Sequence, residues 1–335
     1  MDRREGGRIQ SGFYIGVLDI GGTKILAGLI DPAGELVAHR RIETQAARGA
    51  DDVIARCAAL LCELAQETRV PVETLAGVGC SVPGPLDQDK GLVIFSPNLG
   101  WLDVPLVEML QRALGRNEFG SYVPVVIDDD AHCAALGEAS RGAARGAVSA
   151  VYVTISTGIG AGVIINGNIY RGAHGFAGEV GHITIEPAGP LCACGNSGCF
   201  EALASGSAIA AQGQQAVLCG NQTTLANLDA DPALLTAEQV VRAAEAGDAV
   251  ATRIVERAGT YLGIGLAAVA TAFDPEMIVV GGGVARPGGM LLRQAREVFQ
   301  ARAIMPIGQR VRIVPAMLGD ESGLWGAAAL ISSGR

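Results

Sequence analysis

Large aromatic side chains are scarce, only 4% of the 335 residues. That is too few for a stacking platform that holds single-stranded nucleic acid. Basic residues are the minority charge: 25 Lys and Arg face 34 Asp and Glu, for a formal net charge of −9. Such a chain lacks the cationic footprint of a general nucleic-acid binder. Long apolar runs are also missing. The longest uncharged stretch of helical character, 258–273, is shorter than the roughly 20 residues a bilayer span takes. Its Gly259, Gly263 and Gly265 suit close helix packing or an interface instead. The charged segment 1–8 is followed by no apolar signal-peptide core. The expectation is a soluble, cytoplasmic chain with neither nucleic acid nor membrane as a partner. In that reducing compartment the eight cysteines are thiols or metal ligands rather than a disulfide framework. With 49% hydrophobic residues, disorder over any large part is excluded.

Glycine, by contrast, is abundant. The 47 glycines are about twice the ~7% average, and they show no triplet repeat. Short apolar runs at 13–20, 25–30 and 35–42, with Asp31-Pro32-Ala33-Gly34 between the last two, read as meander strands joined by tight turns. Val53, Ile54, Cys57, Leu60, Leu61 and Leu64 recur at helical spacing over 51–67. A strand over 75–82 ends at Pro83-Gly84-Pro85; a helix over 104–114 and a buried strand over 123–127 follow. A second round starts with a helix at 131–140 and a strand at 150–155. A hairpin then pairs 162–165 with 168–171 across Asn166-Gly167. The segment 174–204 reads as irregular. Helices at 237–257 and 258–273, strands at 277–280 and 311–314, and a helix at 323–332 complete the pattern. This is an α/β chain of two domains, a length that suits roughly 150 residues per domain. The expected small domain is 1–127 with 318–335 returning to it; 128–317 forms the large one. A cleft lies between them, since ligands bind at the carboxyl ends of strands.

Two strands end in glycine-rich loops. Asp19, Gly21, Gly22, Thr23 and Lys24 combine a carboxylate, bare backbone, a hydroxyl and a cation, a set that suits a nucleoside triphosphate with Mg²⁺. Thr157 and Gly158 open the second loop, 157–162. Neither matches the P-loop or the dinucleotide fingerprint. One such loop alone reads as a glycine turn in a hairpin. Two of them, joined by Gly281, Gly282 and Gly283 after a third strand, point to phosphate or nucleotide binding.

His182, Cys192, Cys194 and Cys199 follow as His-x9-Cys-x-Cys-x4-Cys, one imidazole and three thiolates, the donor set of a closed structural Zn²⁺ site. The alternative is three buried or free thiols, although Cys192 and Cys194 are poorly placed to bridge each other. Asp128, Asp129 and Asp130 stand between a strand and a helix. They fit either as caps complementing the helix dipole or as the source of a general base.

Together these residues resemble the ROK family of sugar kinases and sugar-responsive repressors over about 15–330. The likeness rests on Asp19-Ile-Gly-Gly-Thr-Lys24, Ser81-Val-Pro-Gly-Pro85, Asn98-Leu-Gly-Trp101 and Thr157-Gly-Ile-Gly-Ala-Gly162. Its most specific parts are Gly178-Glu-Val-Gly-His182 and Cys192-Ala-Cys-Gly-Asn-Ser-Gly-Cys-Phe-Glu201. Gly281-Gly-Gly-Val284 and Gly323-Leu-Trp-Gly-Ala-Ala328 also fit. The resemblance implies a two-domain actin-like ATPase (ribonuclease H-like) fold that closes on a sugar and ATP. It makes Asp130 the base for the sugar 6-hydroxyl, and has Asp129, Glu179, His182 and Glu201 hold the other hydroxyls. Gly84 and Asn98 approach the sugar from the small domain. Zinc holds the loop that presents Glu179 and Glu201, with His182 both ligand and pocket wall. There is one departure: the family's usual Asn-Asp-Ala-Asn at 129–132 is here Asp129-Asp130-Ala131-His132. An ionised Asp only accepts where Asn also donates, so Asp129 bears on which sugar fits.

The implied activity is ATP-dependent phosphorylation of a hexose, glucose first, as a step of glycolysis carried out by a homodimer. N-acetylmannosamine or N-acetylglucosamine is the alternative acceptor, then fructose or allose. The intact cysteine string resembles ATP-using rather than polyphosphate-using members. Family repressors carry a helix-turn-helix ahead of the kinase-like part. Here only about a dozen residues precede the first strand, which favours an enzyme over a sugar-responsive regulator. A zinc hydrolase is disfavoured because four protein ligands leave no open position.

Overall fold

Strand β1 (Ile15–Ile20) is apolar at all positions except Gly16 and Asp19, and buried along nearly its whole length, the pattern of a strand covered on both faces. In the computed structural model, which describes residues 13–116, 120–229 and 231–332, β1 is the centre of a five-stranded sheet. The charged segment 1–8 lies outside the described residues. The sheet runs β3 (Leu36–Glu43), β2 (Lys24–Ile30), β1, β4 (Gly77–Val82), β8 (Val125–Asp129). β1 pairs antiparallel with β2 and parallel with β4, which is parallel in turn to β8. Alternate side chains face opposite ways, as strand geometry requires. Leu18 and Ile20 join a core with Val53, Ile54, Leu61 and Leu64 of helix α1 (Ala50–Thr68). Ile15 and Val17 pack with Leu324, Ala327 and Ala328 of helix α10 (Ser322–Ser332).

The chain forms two compact units. The first comprises Met1–Gly146, Gly167–Ala177 and Asp320–Arg335. It runs beyond the expected boundary at 127/128 because helix α3 (Asp130–Ser140) packs along α10. Gly79 of β4 makes that layer possible: a Cβ there would stand 1.9 Å from the Ala327 carbonyl oxygen. The unit also holds a meander that the sequence reading does not anticipate: β5 (Leu86–Asp87), β6 (Leu92–Ser96) and β7 (Trp101–Val104). Because β7 takes Val104, the following helix α2 (Leu106–Leu114) begins later than expected.

The second unit comprises Ala147–Asn166 and Gly178–Gly319. Its strands follow the order β10 (Ile159–Ile165), β9 (Ala150–Ile155), β12 (Met277–Gly281), β13 (Arg312–Pro315). β9 is antiparallel to β10 and parallel to β12. Asn166 and Gly167 take φ of 53° and 73°, the type I′ turn their sequence demands, and lead into β11 (Asn168–Tyr170). Helices α4 (Phe200–Ala204), α5 (Gly206–Leu218), α6 (Ala237–Glu245), α7 (Ala249–Phe273) and α8 (Met290–Arg302) pack around the sheet, and α9 (Met305–Arg310) follows. The expected break at 257/258 falls instead at 246–248. Asp248 caps α7 by accepting from the N–H groups of Val250 and Ala251, so one 25-residue helix replaces the second part of the expected pair. The small residues of α7 belong to the core of this unit: Gly263 lies against the Ala295 backbone of α8, and Gly265 faces the Phe200 ring of α4. The sequence reading does not anticipate α5, α8 or α9; the Ala- and Gln-rich α5 carries a weak apolar period.

Gly79→Ala is expected to lower stability by about 1–3 kcal/mol through overpacking, read as a shift of the urea unfolding midpoint.

Candidate active site

The parallel register of the first unit sets the candidate residues in a row. Asp19 of β1 stands beside Ser81 of β4, and Ser81 beside Asp128 of β8, all at the carboxyl ends of their strands. Open α/β sheets bind ligands at such ends. Ser81 is fully buried and donates its hydroxyl to Asp19 Oδ1 at 2.7 Å. Desolvation pushes the Asp19 carboxyl up to about 6. The nearby charges of Asp130 and Asp320 push the same way, against Ser81 and Lys24. Gly323, at the start of α10, leaves room for this carboxyl: a Cβ there would stand 2.7 Å from Asp19 Oδ1.

The loop after Asp19 is a tight hairpin tip, closed by the Gly21 N–H donating to the Lys24 carbonyl at 2.9 Å. Thr44, the residue after β3, donates its hydroxyl to the Gly21 carbonyl at 2.5 Å. Gly22 sits against Asn98, whose Cβ and carbonyl oxygen lie 2.8 Å from where a Cβ would be. Two sequence-predicted residues from separate loops therefore adjoin. Lys24 is engaged: its Nζ donates to Asp320 Oδ2 at 2.6 Å, and Arg41 reaches the same oxygen at 2.9 Å. Hydrogen bonding from Lys24 holds Asp320 below the usual carboxylate range. Gly84 takes φ 116° with its Cα against the Phe95 carbonyl, where any side chain would collide with the meander.

The three consecutive acids have three different environments. Asp128 is fully buried. Asp129 caps α3, its Oδ1 accepting from the Ala131 N–H at 3.0 Å and the His132 N–H at 3.4 Å. Asp130, the first residue of the helix, is exposed, as a base for an incoming hydroxyl must be. The capping reading of the triplet thus falls on Asp129, and Asp130 is the exposed acid of the three. Burial disfavours the Asp128 carboxylate, but His132 and Arg171 outweigh it and hold it below the usual range.

The second unit gathers the remaining candidates. Thr157 and Gly158 form the tip between β9 and β10, with the Ser156 N–H donating to the Gly158 carbonyl at 3.0 Å. Glu201, near the start of α4, accepts from the Ile159 N–H at 2.9 Å and lies where a Cβ on Gly158 would be. Gly282, with φ 91°, packs on the Ile155 backbone beside the same loop, and Gly283 follows it. The glycine after β12 and the tip after β9 are therefore neighbours at the carboxyl ends of adjacent parallel strands.

His182, Cys192, Cys194 and Cys199 converge, their ligand atoms all within 4.8 Å of one another. Cys192 Sγ is 3.8 Å from His182 Nδ1, and Cys194 Sγ is 3.6 Å from Cys199 Sγ. Tetrahedral zinc with Zn–S of about 2.3 Å separates two thiolates by about 3.8 Å, so the donor set and its spacing fit that ion. Burial, followed by its two thiol neighbours, pushes the Cys199 thiol up to about 12, so the cluster favours neutral thiols unless a cation stands among them. The other ring nitrogen of His182, Nε2, faces Glu179 Oε2 at 3.8 Å, which brings that candidate to the same loop. Gly198 allows the knot to close, since a Cβ there would stand 1.6 Å from the Glu186 carbonyl oxygen. The remaining cysteines, 57, 62, 80, 133 and 219, take no part in this cluster.

Sequence reasoning missed the supporting residues: Ser81 under Asp19, Asp320 on Lys24, and Gln88, His132 and Arg171 around Asp128. Ser81 belongs to the Ser81-Val-Pro-Gly-Pro85 motif, and His132 to the segment 129–132. Arg171 and Asp320 carried no local signal, because their partners are far away in the chain.

The chain belongs to the ROK family, whose sequence pattern matches residues 14–333. A glucokinase of Halalkalibacterium halodurans is 37% identical over 321 residues, 95% of this chain and 94% of its own. A solved ROK family glucokinase from Streptomyces griseus, in complex with glucose and AMPPNP, is 32% identical with a TM-score of 0.79, covering 96% of this chain and 100% of that one. A xylose repressor of Bacillus subtilis is 31% identical over 328 residues, 96% of this chain and 77% of its own. The two α/β units are those of the actin-like ATPase fold expected of the family.

The raised Asp19 value makes a stability prediction. A carboxyl whose folded value lies above the ordinary 3.8 carries no penalty below pH 3.8, and the fold loses stability as pH rises through about 6. Asp19→Asn is expected to raise the thermal midpoint by a few degrees near pH 7.5 and leave it unchanged near about pH 3.5, while activity falls.

Proposed function

We propose that this chain transfers the γ-phosphoryl group of ATP to the 6-hydroxyl of a hexose, with glucose the preferred acceptor. The observation that carries the reading is the row Asp19, Ser81, Asp128 at three parallel strand ends, with exposed Asp130 directly after it. The likeness to glucokinases supports the substrate. Phosphoryl transfer needs alignment and charge neutralisation more than covalent chemistry. Asp130 takes the proton of the attacking hydroxyl. Asp129, Glu179, His182, Glu201, Gly84 and Asn98 hold the sugar. The loop residues Asp19, Gly21, Gly22, Thr23 and Lys24, with Thr157, Gly158, Gly282 and Gly283, bind the nucleotide. Lys24 must exchange its Asp320 partner for phosphate, a trade between two anions.

Two ions complete the reading. The desolvated Asp19 carboxyl with Asp130 beside it is an arrangement that a cation relieves, and Asp19 would hold Mg²⁺, which supplies charge neutralisation at the phosphates. His182, Cys192, Cys194 and Cys199 would hold Zn²⁺ in a structural role, fixing the loop between Glu179 and Glu201. The enzyme works as a cytoplasmic homodimer at the entrance to glycolysis; among the described residues no helix is long and apolar enough to cross a membrane.

An ATP-consumption screen over glucose, mannose, fructose, allose, N-acetylmannosamine and N-acetylglucosamine tests the substrate. Glucose is expected to give the highest kcat/KM, and an N-acetylhexosamine in first place would reassign the pocket at the sugar C2 position. Asp130→Ala should lower kcat by about 10²–10⁴-fold, the usual worth of a general base, with sugar binding retained by calorimetry. Metal analysis of the purified protein should give about one zinc per chain, and Cys194→Ser should release it. The likeness to a xylose repressor supports a second reading as a sugar-responsive regulator. A salt-dependent shift of duplex DNA without ATP turnover would select it.

A further inference from the structure

The charge of a buried imidazole can be read from what its nitrogens face. His132, in the first turn of α3, is 3% exposed. Its Nδ1 lies 3.0 Å from Asp128 Oδ1 and its Nε2 lies 2.8 Å from the Ala177 carbonyl oxygen. A backbone carbonyl can only accept, and an ionised carboxylate can only accept. Asp128 has no room for a proton of its own. Oδ1 also accepts from Gln88 Nε2 at 2.6 Å and from the Asp129 N–H at 2.9 Å. Oδ2 accepts from Arg171 Nε at 2.9 Å and Nη2 at 2.7 Å. A neutral ring would aim a lone pair at one of two acceptors within hydrogen-bond reach, so both ring nitrogens donate.

We propose that His132 is held as an imidazolium and is a positioning residue for Asp130, clamping the first turn of α3 between the buried Asp128 carboxylate and the carbonyl at Ala177. This rests on the reading of Asp130 as the base. The clamp grips the helix start from two sides. Asp129 fixes the backbone N–H groups of Ala131 and His132, and the His132 ring fixes the turn against residues 171–177. Asp130 lies between these two anchors in the chain. A general base depends on such fixing, since a displacement of about 1 Å can cost about 10²-fold in rate. The charged groups facing the ring are Asp128 and Asp129 from the end of β8 and Arg171 from the 171–177 segment, which together with the ring sum to zero.

The charge is tested on the unaltered protein by ¹⁵N–¹H correlation of the imidazole rings near pH 7.5, with the His132 signals assigned by their loss in His132→Asn. Two protonated ring nitrogens are expected, persisting until the pH approaches about 9, the value to which Asp128 raises this ring against the opposing effect of burial. A single protonated nitrogen at pH 7.5 overturns the proposal. The positioning role is tested by His132→Asn kinetics. A fall in kcat between about 10- and 100-fold, with the KM for ATP within twofold, is expected; an unchanged kcat overturns it. Should that variant fail to fold, the kcat profile of the unaltered enzyme decides: it must fall as pH rises through about 9, and a flat profile beyond that point overturns the role. Failure of the underlying reading looks different, because Asp130→Ala would then keep its turnover while the ring remained doubly protonated.

Discussion

A carboxylate without water must find its whole solvation shell in protein. Asp128 finds it in five donors drawn from four places: its own chain at Asp129, the turn after β5 at Gln88, the first turn of α3 at His132, and the segment after β11 at Arg171. An unpaired charge in that position would cost several kcal/mol, so each donor is obliged to stay. The buried charge therefore fixes where the strand ends, where the helix begins and where the returning segment lies. Asp129 and Asp130 inherit their placement from it.

The two units solve the same geometric problem in the same way. In each, a hairpin tip and a glycine or acid after the next parallel strand come together at one sheet end: Asp19 and Ser81 with Asp128 in the first, Thr157 and Gly158 with Gly282 in the second. The glycines are where one backbone leans on another, as Gly22 does on Asn98 and Gly282 on Ile155. The acid in the first unit is held at an energetic disadvantage, raised toward neutrality by desolvation. Groups left in that condition are common where a cation or a reacting group is to arrive.

The cysteine cluster was legible because its four residues lie within one short segment, where spacing alone limits the geometry. Hairpin turns were legible for the same reason: Asn166-Gly167 admits few conformations. The α/β alternation and most strands followed from runs of Val, Ile and Leu. The division of 237–273 was not, because Ala- and Gly-rich helix has little apolar period, although Gly247-Asp248 carries the capping signal in plain view. The partners of the candidate residues were hidden by distance along the chain. Arg171 is 43 positions from Asp128 and Asp320 is 296 from Lys24, and no local rule connects them. The row Asp19, Ser81, Asp128 depends on strand register, which two-faced burial sets and which no single strand announces.

The helix α10 covers Ile15, Val17, Leu26 and Ile30 with Leu324, Ala327 and Ala328, yet it follows Gly178–Gly319 in the chain. During synthesis the first unit therefore emerges with one face of its sheet bare, and it stays so while all of Gly178–Gly319 is translated. The second unit, continuous but for Ala147–Asn166, has its strands and helices on hand before that cover exists. Domains usually fold in the order in which they leave the ribosome; here the sheet that is begun first gains its cover only after the residues of the second unit have been made.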